Sequence, residues 1–166
     1  DESWPVWAGL LAFLNDLAKS LVRDSCGDLC CDKQAIEMDE AVEGIMRMPL
    51  SERRTSTLLQ IVTDGDLRIR LNKWCESGAY AWAVDSPENT FNPMDYKKVG
   101  FDTTVILEKI NGNVHPACEP VLGILFFYKS LMQREGKLML SIIEEFWMPC
   151  NFPLTQDMIK GALKAG

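Results

Sequence analysis

The chain has 166 residues, enough for one domain of ordinary size or one and a half small ones. Apolar residues make up 47% and charged residues 25%, which excludes a disordered chain, and no apolar run approaches the roughly 18 residues needed to span a bilayer. The net charge of −7, from 24 acidic and 17 basic residues, repels phosphate backbones, so no direct nucleic-acid binding is predicted for this stretch.

In chain order, residues 4 to 22 carry Trp4, Trp7, Leu11, Leu14, Ala18 and Leu21 at alternating three- and four-residue spacing, the stripe of a helix packed on others. Gly27 and Asp28 break it. Asp32 is placed to cap a second helix with the stripe Ala35, Met38, Val42 and Ile45, which Pro49 ends. Ser51 is placed to cap a third, through Leu58, Leu59 and Val62. Asp64-Gly65 turns the chain into a fourth, with Leu67, Leu71 and Trp74 on one side. Residues 1–75 therefore read as an all-α helical subdomain.

The pattern then changes. "AYAWAVD" (79–85) and "KVGFD" (98–102) read as short strands, and Thr103 or Thr104 is placed to cap a brief helix through Ile110 that "NGN" stops. Residues 116 to 135 form a long apolar helix closed by Gly136. "LMLSII" (138–143) reads as a further strand, apolar apart from Ser141, and "FPLTQDMIKGALK" as a final helix with Pro153 near its start. Strands separated by helices predict a parallel sheet covered on both faces, so residues 76–166 read as part of an α/β core.

Two adjacent acids, Glu144 and Glu145, follow "LMLSII". Ligands of open parallel sheets collect at the carboxyl ends of the strands. In phosphoryl transfer to water, a carboxylate there either meets the water shell of a magnesium ion or orients the attacking water. Neighbouring side chains of a strand point different ways, so adjacent acids can divide these jobs: Glu144 toward the metal's waters, Glu145 toward the nucleophile. The competing reading is an ordinary strand whose terminal acids are solvated.

Several stretches together resemble a known family. "RIRLNKWCESGAYAWAVDSPENT" (68–90), "KVGFDTTVIL" (98–107) and "LMLSIIEEFW" (138–147) are similar, in that order and spacing, to the large cytoplasmic ATPases of bacterial type IV secretion and conjugation systems, the VirB/TrbE/CagE family. "DEAVEGIMRMPLSERRTSTL" (39–58) resembles that family's all-α insertion. The likeness runs from about residue 32 onward and is weaker before it. It implies a RecA-like P-loop NTPase core carrying a helical bundle, self-association (a hexamer), and contacts with other secretion-system subunits. It also implies ATP hydrolysis, with Mg2+, that powers pilus assembly and transport of DNA or protein at the cytoplasmic face of the inner membrane. Glu144 and Glu145 then fall on the Walker B acids: Glu145 as the catalytic residue, Glu144 as the magnesium contact through water. The first acid is commonly Asp, and Glu144 is one methylene longer.

No G-x-x-x-x-G-K-[ST] phosphate loop occurs in the 166 residues; Gly136-Lys137 is followed by Leu138 and precedes an expected strand rather than a helix. Together with the missing initiator Met at Asp1, this reads as a piece of a longer protein that by itself binds ATP weakly or not at all. The rival reading is a helical protein–protein interaction module whose acids are inert. Of the remaining polar and aromatic candidates, Trp74, Trp82 and Trp147 read as core or subunit contacts rather than a stacking surface. Arg53 and Arg54 read as a solvated first turn rather than a partner contact. Asp85 and Glu88 read as a loop rather than nucleotide contacts. Asp102 sits at an expected strand end, and Met38, Met46 and Met48 read as packing. The six cysteines are irregularly spaced, and Cys26, Cys30 and Cys31 lack the paired spacing of a zinc site, with the lone His115 far away in sequence.

Overall fold

A computed structural model describes residues 3–23, 31–88, 92–110, 112–134, 140–145 and 147–164. The chain divides into two compact units, Asp1–Glu88 and Asn89–Gly166. Residues 76–88 belong to the first unit, where Asp85 accepts from Ser56 and Glu76.

The first unit holds α1 (Ser3–Leu21), α2 (Asp32–Met46), α3 (Thr55–Ile61), α4 (Gly65–Asn72) and the single turn α5 (Ala81–Val84). The four helices anticipated before residue 75 are all present. The α2 stripe buries Met38, Ala41, Val42 and Ile45, while α4 buries Leu67 and Leu71 completely. Burying side chains of this size contributes roughly 1.5–3 kcal/mol each. The helix ends are satisfied from other helices. Trp74 Nε1 donates to the Leu21 carbonyl at 2.7 Å and Arg70 to the Val22 carbonyl at 2.9 Å, which occupies the open C-terminus of α1. Arg68 does the same for α3 through the carbonyls of Leu59 and Val62, at 2.6 and 2.8 Å.

Asp64 caps α4, accepting from the amides of Asp66 and Leu67 at 3.0 Å each. Glu37 of α2 accepts from the Thr63 amide and hydroxyl and from the Asp64 amide, and so pins the α3–α4 junction. Those hydrogen bonds, the Thr63 hydroxyl's first, hold the Glu37 carboxyl below its ordinary range. Two expected caps fall elsewhere. Asp32 is the first helical residue, with Cys31 before it, and Ser51 lies in a 3-10 turn, Leu50–Glu52, four residues ahead of α3.

"AYAWAVD" is not a strand. Residues 81–84 close one helical turn, with the Asp85 amide donating to the Ala81 carbonyl at 2.9 Å. Its alanines favour helix, and among the described residues no strand lies in this unit to pair with it. The segment is led in by Gly78, where a Cβ would lie 2.4 Å from the Lys73 carbonyl oxygen. Only glycine allows that approach, which lets the Tyr80 amide reach the Lys73 carbonyl at 2.9 Å and the Tyr80 ring meet Trp74 with centroids 5.0 Å apart.

Cys75, at the end of this helical stretch, is buried, and its thiol donates to the Leu71 carbonyl at 3.3 Å. Burial, then the charges of Asp85 and Glu76, push the thiol up to about 12. A raised thiol contributes stability that is fully present below the ordinary thiol range, near pH 9, and lost as pH climbs toward 12. The stability advantage of the parent over Cys75→Ala is therefore expected to shrink across pH 9–12, as read by urea unfolding at a series of pH values. A constant difference contradicts it.

The second unit holds a 3-10 turn at Pro93–Asp95, α6 (Thr104–Leu107), the two-residue strands β1 (Lys109–Ile110) and β2 (Asn113–Val114), α7 (Cys118–Arg134), a 3-10 turn at Pro149–Asn151 and α8 (Pro153–Lys164). β1 and β2 pair antiparallel around Gly112, whose φ of 82° suits the turn. The long apolar helix and the Pro153 helix are present as anticipated, and Gly136 lies outside the described residues. α7 and α8 pack together, and Leu122, Phe126, Leu154 and Ile159 of these helices are buried. Glu119 of α7, itself buried, accepts from the Leu154 amide at 3.2 Å in the first turn of α8.

Two expected strands of this unit have no counterpart. Residues 98–102 carry no regular structure, and Asp102 instead accepts from the amide and hydroxyl of Thr104 at 3.0 and 2.7 Å, starting α6. Of residues 138–143, the first two lie outside the described residues; residues 140–143 are irregular, with Leu140 87% and Ile142 81% exposed. A strand needs a neighbour for its amides and carbonyls, and the described residues hold only the β1–β2 pair. The architecture described is thus helical with one small hairpin, and the anticipated parallel sheet is not among it. No described helix is long and apolar enough to cross a membrane.

Candidate functional site

The acid pair sits where an exposed segment enters the packed part of the second unit. Glu144 and Glu145 are exposed and lie in a turn, whereas Met148 and Pro149 just beyond are buried. Thr155 of α8 ties this entry down by donating its hydroxyl to the Pro149 carbonyl, and Gln156 donates to the Cys150 carbonyl at 2.8 Å. Glu145 has a φ of 52°, the left-handed region that a non-glycine residue seldom adopts. Its carbonyl accepts from the Met148 amide at 2.9 Å, and its Oε2 accepts from the Trp147 indole N–H at 2.5 Å.

Among the described residues no group of three or more His, Cys, Asp or Glu side chains is placed to hold a metal ion. The pair therefore offers two exposed carboxylates and no closed cage. That donor set fits a magnesium ion that keeps most of its own waters.

Of the other polar candidates, Glu88 is exposed, and Asp85, Arg53, Arg54 and Asp102 have structural partners. Asp85 is fully buried, with its carboxylate accepting from the Ser56 amide at 2.9 Å, the Ser56 hydroxyl at 2.8 Å and the Glu76 amide at 2.7 Å. Arg54 lies 3.6 Å from the same carboxylate and donates to the Asp85 carbonyl at 3.2 Å. Arg53 donates to the Met48 carbonyl at 2.9 Å. Asp102 is a helix start, and the hydrogen bonds from Thr104 hold its carboxyl below the ordinary range. Trp74 is core; Trp82 and Trp147 are 59% and 55% exposed. Cys31 is exposed and Cys75 and Cys118 are buried, while Cys26 and Cys30 lie outside the described residues. His115 Nδ1 accepts from the Ala117 amide at 3.1 Å ahead of α7.

A cleft in the helical unit, lined by Ser56, Gln60, Arg68, Asn72 and Glu76, has a volume of about 150 Å³. That is well below the roughly 300 Å³ at which ligand pockets begin. Sequence reasoning overlooked Ser56 and Glu119. Each acts through a partner 29 or 35 residues away, which no local pattern announces.

No family model matches the chain. Curated relatives do. The type IV secretion system protein VirB4 of Brucella abortus is 28% identical over 155 residues, covering 84% of this chain and 18% of that protein, and VirB4 of Brucella suis matches equally. The chain is similar to the VirB4-type proteins of type IV secretion systems. PtlC of Bordetella pertussis, another type IV secretion system protein, is 25% identical over 146 residues, 81% of this chain and 17% of its own. The chain thus spans less than a fifth of the length of the VirB4 and PtlC proteins it matches. The resemblance noted on the motifs of residues 39–147 is the one these alignments bear out.

Proposed function

We propose that the chain is the part of a VirB4-type ATPase that carries a helical insertion and the Walker B acids of a RecA-like core. The observation that carries this is the 28% identity to VirB4 over 84% of the chain. In this reading residues 138–143 are a strand of a parallel sheet whose other strands, with the phosphate loop, belong to the portions of VirB4 this chain does not match. The exposure of Leu140, Ile142 and Ile143 supports it, because a run of branched apolar side chains is seldom left in water. Pairing would cover them and bring the acid pair to the sheet's carboxyl edge.

There Glu145 accepts a hydrogen bond from the attacking water and fixes its direction, and Glu144 accepts from the waters around the metal. Magnesium, when bound with ATP, neutralises charge on the transferring phosphoryl group. The products leave as ADP and phosphate, and the work serves pilus assembly and transport of DNA or protein. Other secretion-system subunits and further copies of the same protein, as a hexamer, are the partners. The place of action is the cytoplasmic face of the bacterial inner membrane.

A second reading has one observation in its favour. The helical unit exposes Ile36, Leu50, Ile69 and Trp82, each more than half accessible, as a partner-docking module would. Both readings allow that docking; they differ in whether the acids do chemistry. Calorimetry with Mg-ATP separates the parts: the full-length protein is expected to bind and hydrolyse ATP, and the isolated chain to bind none at submillimolar concentration. Tight binding by the isolated chain contradicts the absence of a phosphate loop from it.

A further inference from the structure

Glu145 is held by a neighbour that the proposed chemistry leaves unused. The Trp147 indole N–H donates to Oε2 at 2.5 Å, across a turn closed by the Met148 amide on the Glu145 carbonyl at 2.9 Å. The Met148 end of that turn is buried, so it is anchored to packed structure, while the indole itself is 55% exposed. More than half of this residue lies in water, and its N–H is directed to the Glu145 carboxylate. The left-handed backbone at Glu145 is a further sign of constraint, since such a conformation is disfavoured for a non-glycine residue and persists where the surroundings impose it.

We propose that Trp147 is a positioning residue for Glu145. The inference rests on Glu145 being the water-orienting acid. A carboxylate on a rotatable three-bond stem points in many directions, and a water-orienting group must point in one. The indole N–H is a donor only, is neutral and cannot be deprotonated near neutral pH. Bonded to Oε2, it leaves Oε1 to accept from the attacking water. The arrangement is that of a base oriented by a third group, with indole in the orienting role. No proton moves to or from Trp147 in this account.

Two measurements test it. In the chain as it stands, the indole N–H resonance of Trp147, identified by its loss in Trp147→Phe, is expected to move to the position of a solvent-exposed indole in Glu145→Ala. An unmoved resonance overturns the hydrogen bond and the inference with it. In the full-length protein, Trp147→Phe is expected to lower kcat for ATP hydrolysis by about tenfold or more while leaving KM for ATP unchanged, since a hydrogen bond to a charged group is lost away from the phosphates. A fall in nucleotide affinity with unchanged kcat marks a structural role and overturns it. Full turnover in Trp147→Phe beside lost turnover in Glu145→Gln overturns this inference alone. Full turnover in both overturns the catalytic reading beneath it.

Discussion

Replacing Asp85 with alanine is expected to destabilise the helical unit by about 3 kcal/mol or more. The carboxylate has no exposed surface and closes three hydrogen bonds that span the unit: the Ser56 amide and hydroxyl at the start of α3, and the Glu76 amide after α4. Truncation leaves those donors buried without an acceptor, at about 1–3 kcal/mol for each one that water does not reach. It also strands the half-buried Arg54, whose guanidinium lies 3.6 Å from the acid. Asp85→Asn keeps one acceptor oxygen but presents an amide NH2 to donors, so it recovers little. Ser56→Ala loses only the hydroxyl and is expected to cost about 1 kcal/mol. Urea unfolding followed by circular dichroism measures all three, and an Asp85→Ala midpoint equal to the parent's contradicts the clasp. Because the effect is on folding, it is independent of any role the protein has with nucleotide.

That clasp also shows what the sequence conceals. The stripes of α2 and α4 were readable because Met38, Val42 and Ile45, and Leu67 and Leu71, recur at helical spacing and are buried on that account. Asp64-Gly65 announced the turn into α4, where Asp64 proves to be the cap through chemistry confined to four residues. The Asp85–Ser56 contact joins positions 29 apart, and nothing near either one signals it. "AYAWAVD" misled because a short apolar run fits a strand and a helical turn equally, and tertiary fastening at Gly78 and Asp85 accompanies the turn. The site divides the same way. The acid pair and the tryptophan after it were readable as residues. The left-handed backbone of Glu145 and its indole partner were not, and residues 140–143, apolar enough to read as a strand, are irregular and exposed in the structure.

The second large effect is chemical. Glutamine at position 145 matches glutamate in shape but carries no charge and cannot draw a proton from water, so under the proposed role of Glu145 its cost is expected on the hydrolytic step, where a positioned base contributes about 10²–10⁴-fold. Nucleotide binding, which the proposed function assigns to a phosphate loop outside the matched portion, is expected to survive. Glu144→Gln, which weakens a contact to the metal through water, is expected to cost less at saturating Mg2+ and more when Mg2+ is scarce. The direct measurement is steady-state ATP hydrolysis by the full-length protein and its Glu145→Gln variant, with ATP affinity measured on both. The account predicts turnover reduced by at least about a hundredfold with affinity retained; turnover equal to the parent's at the same affinity contradicts it.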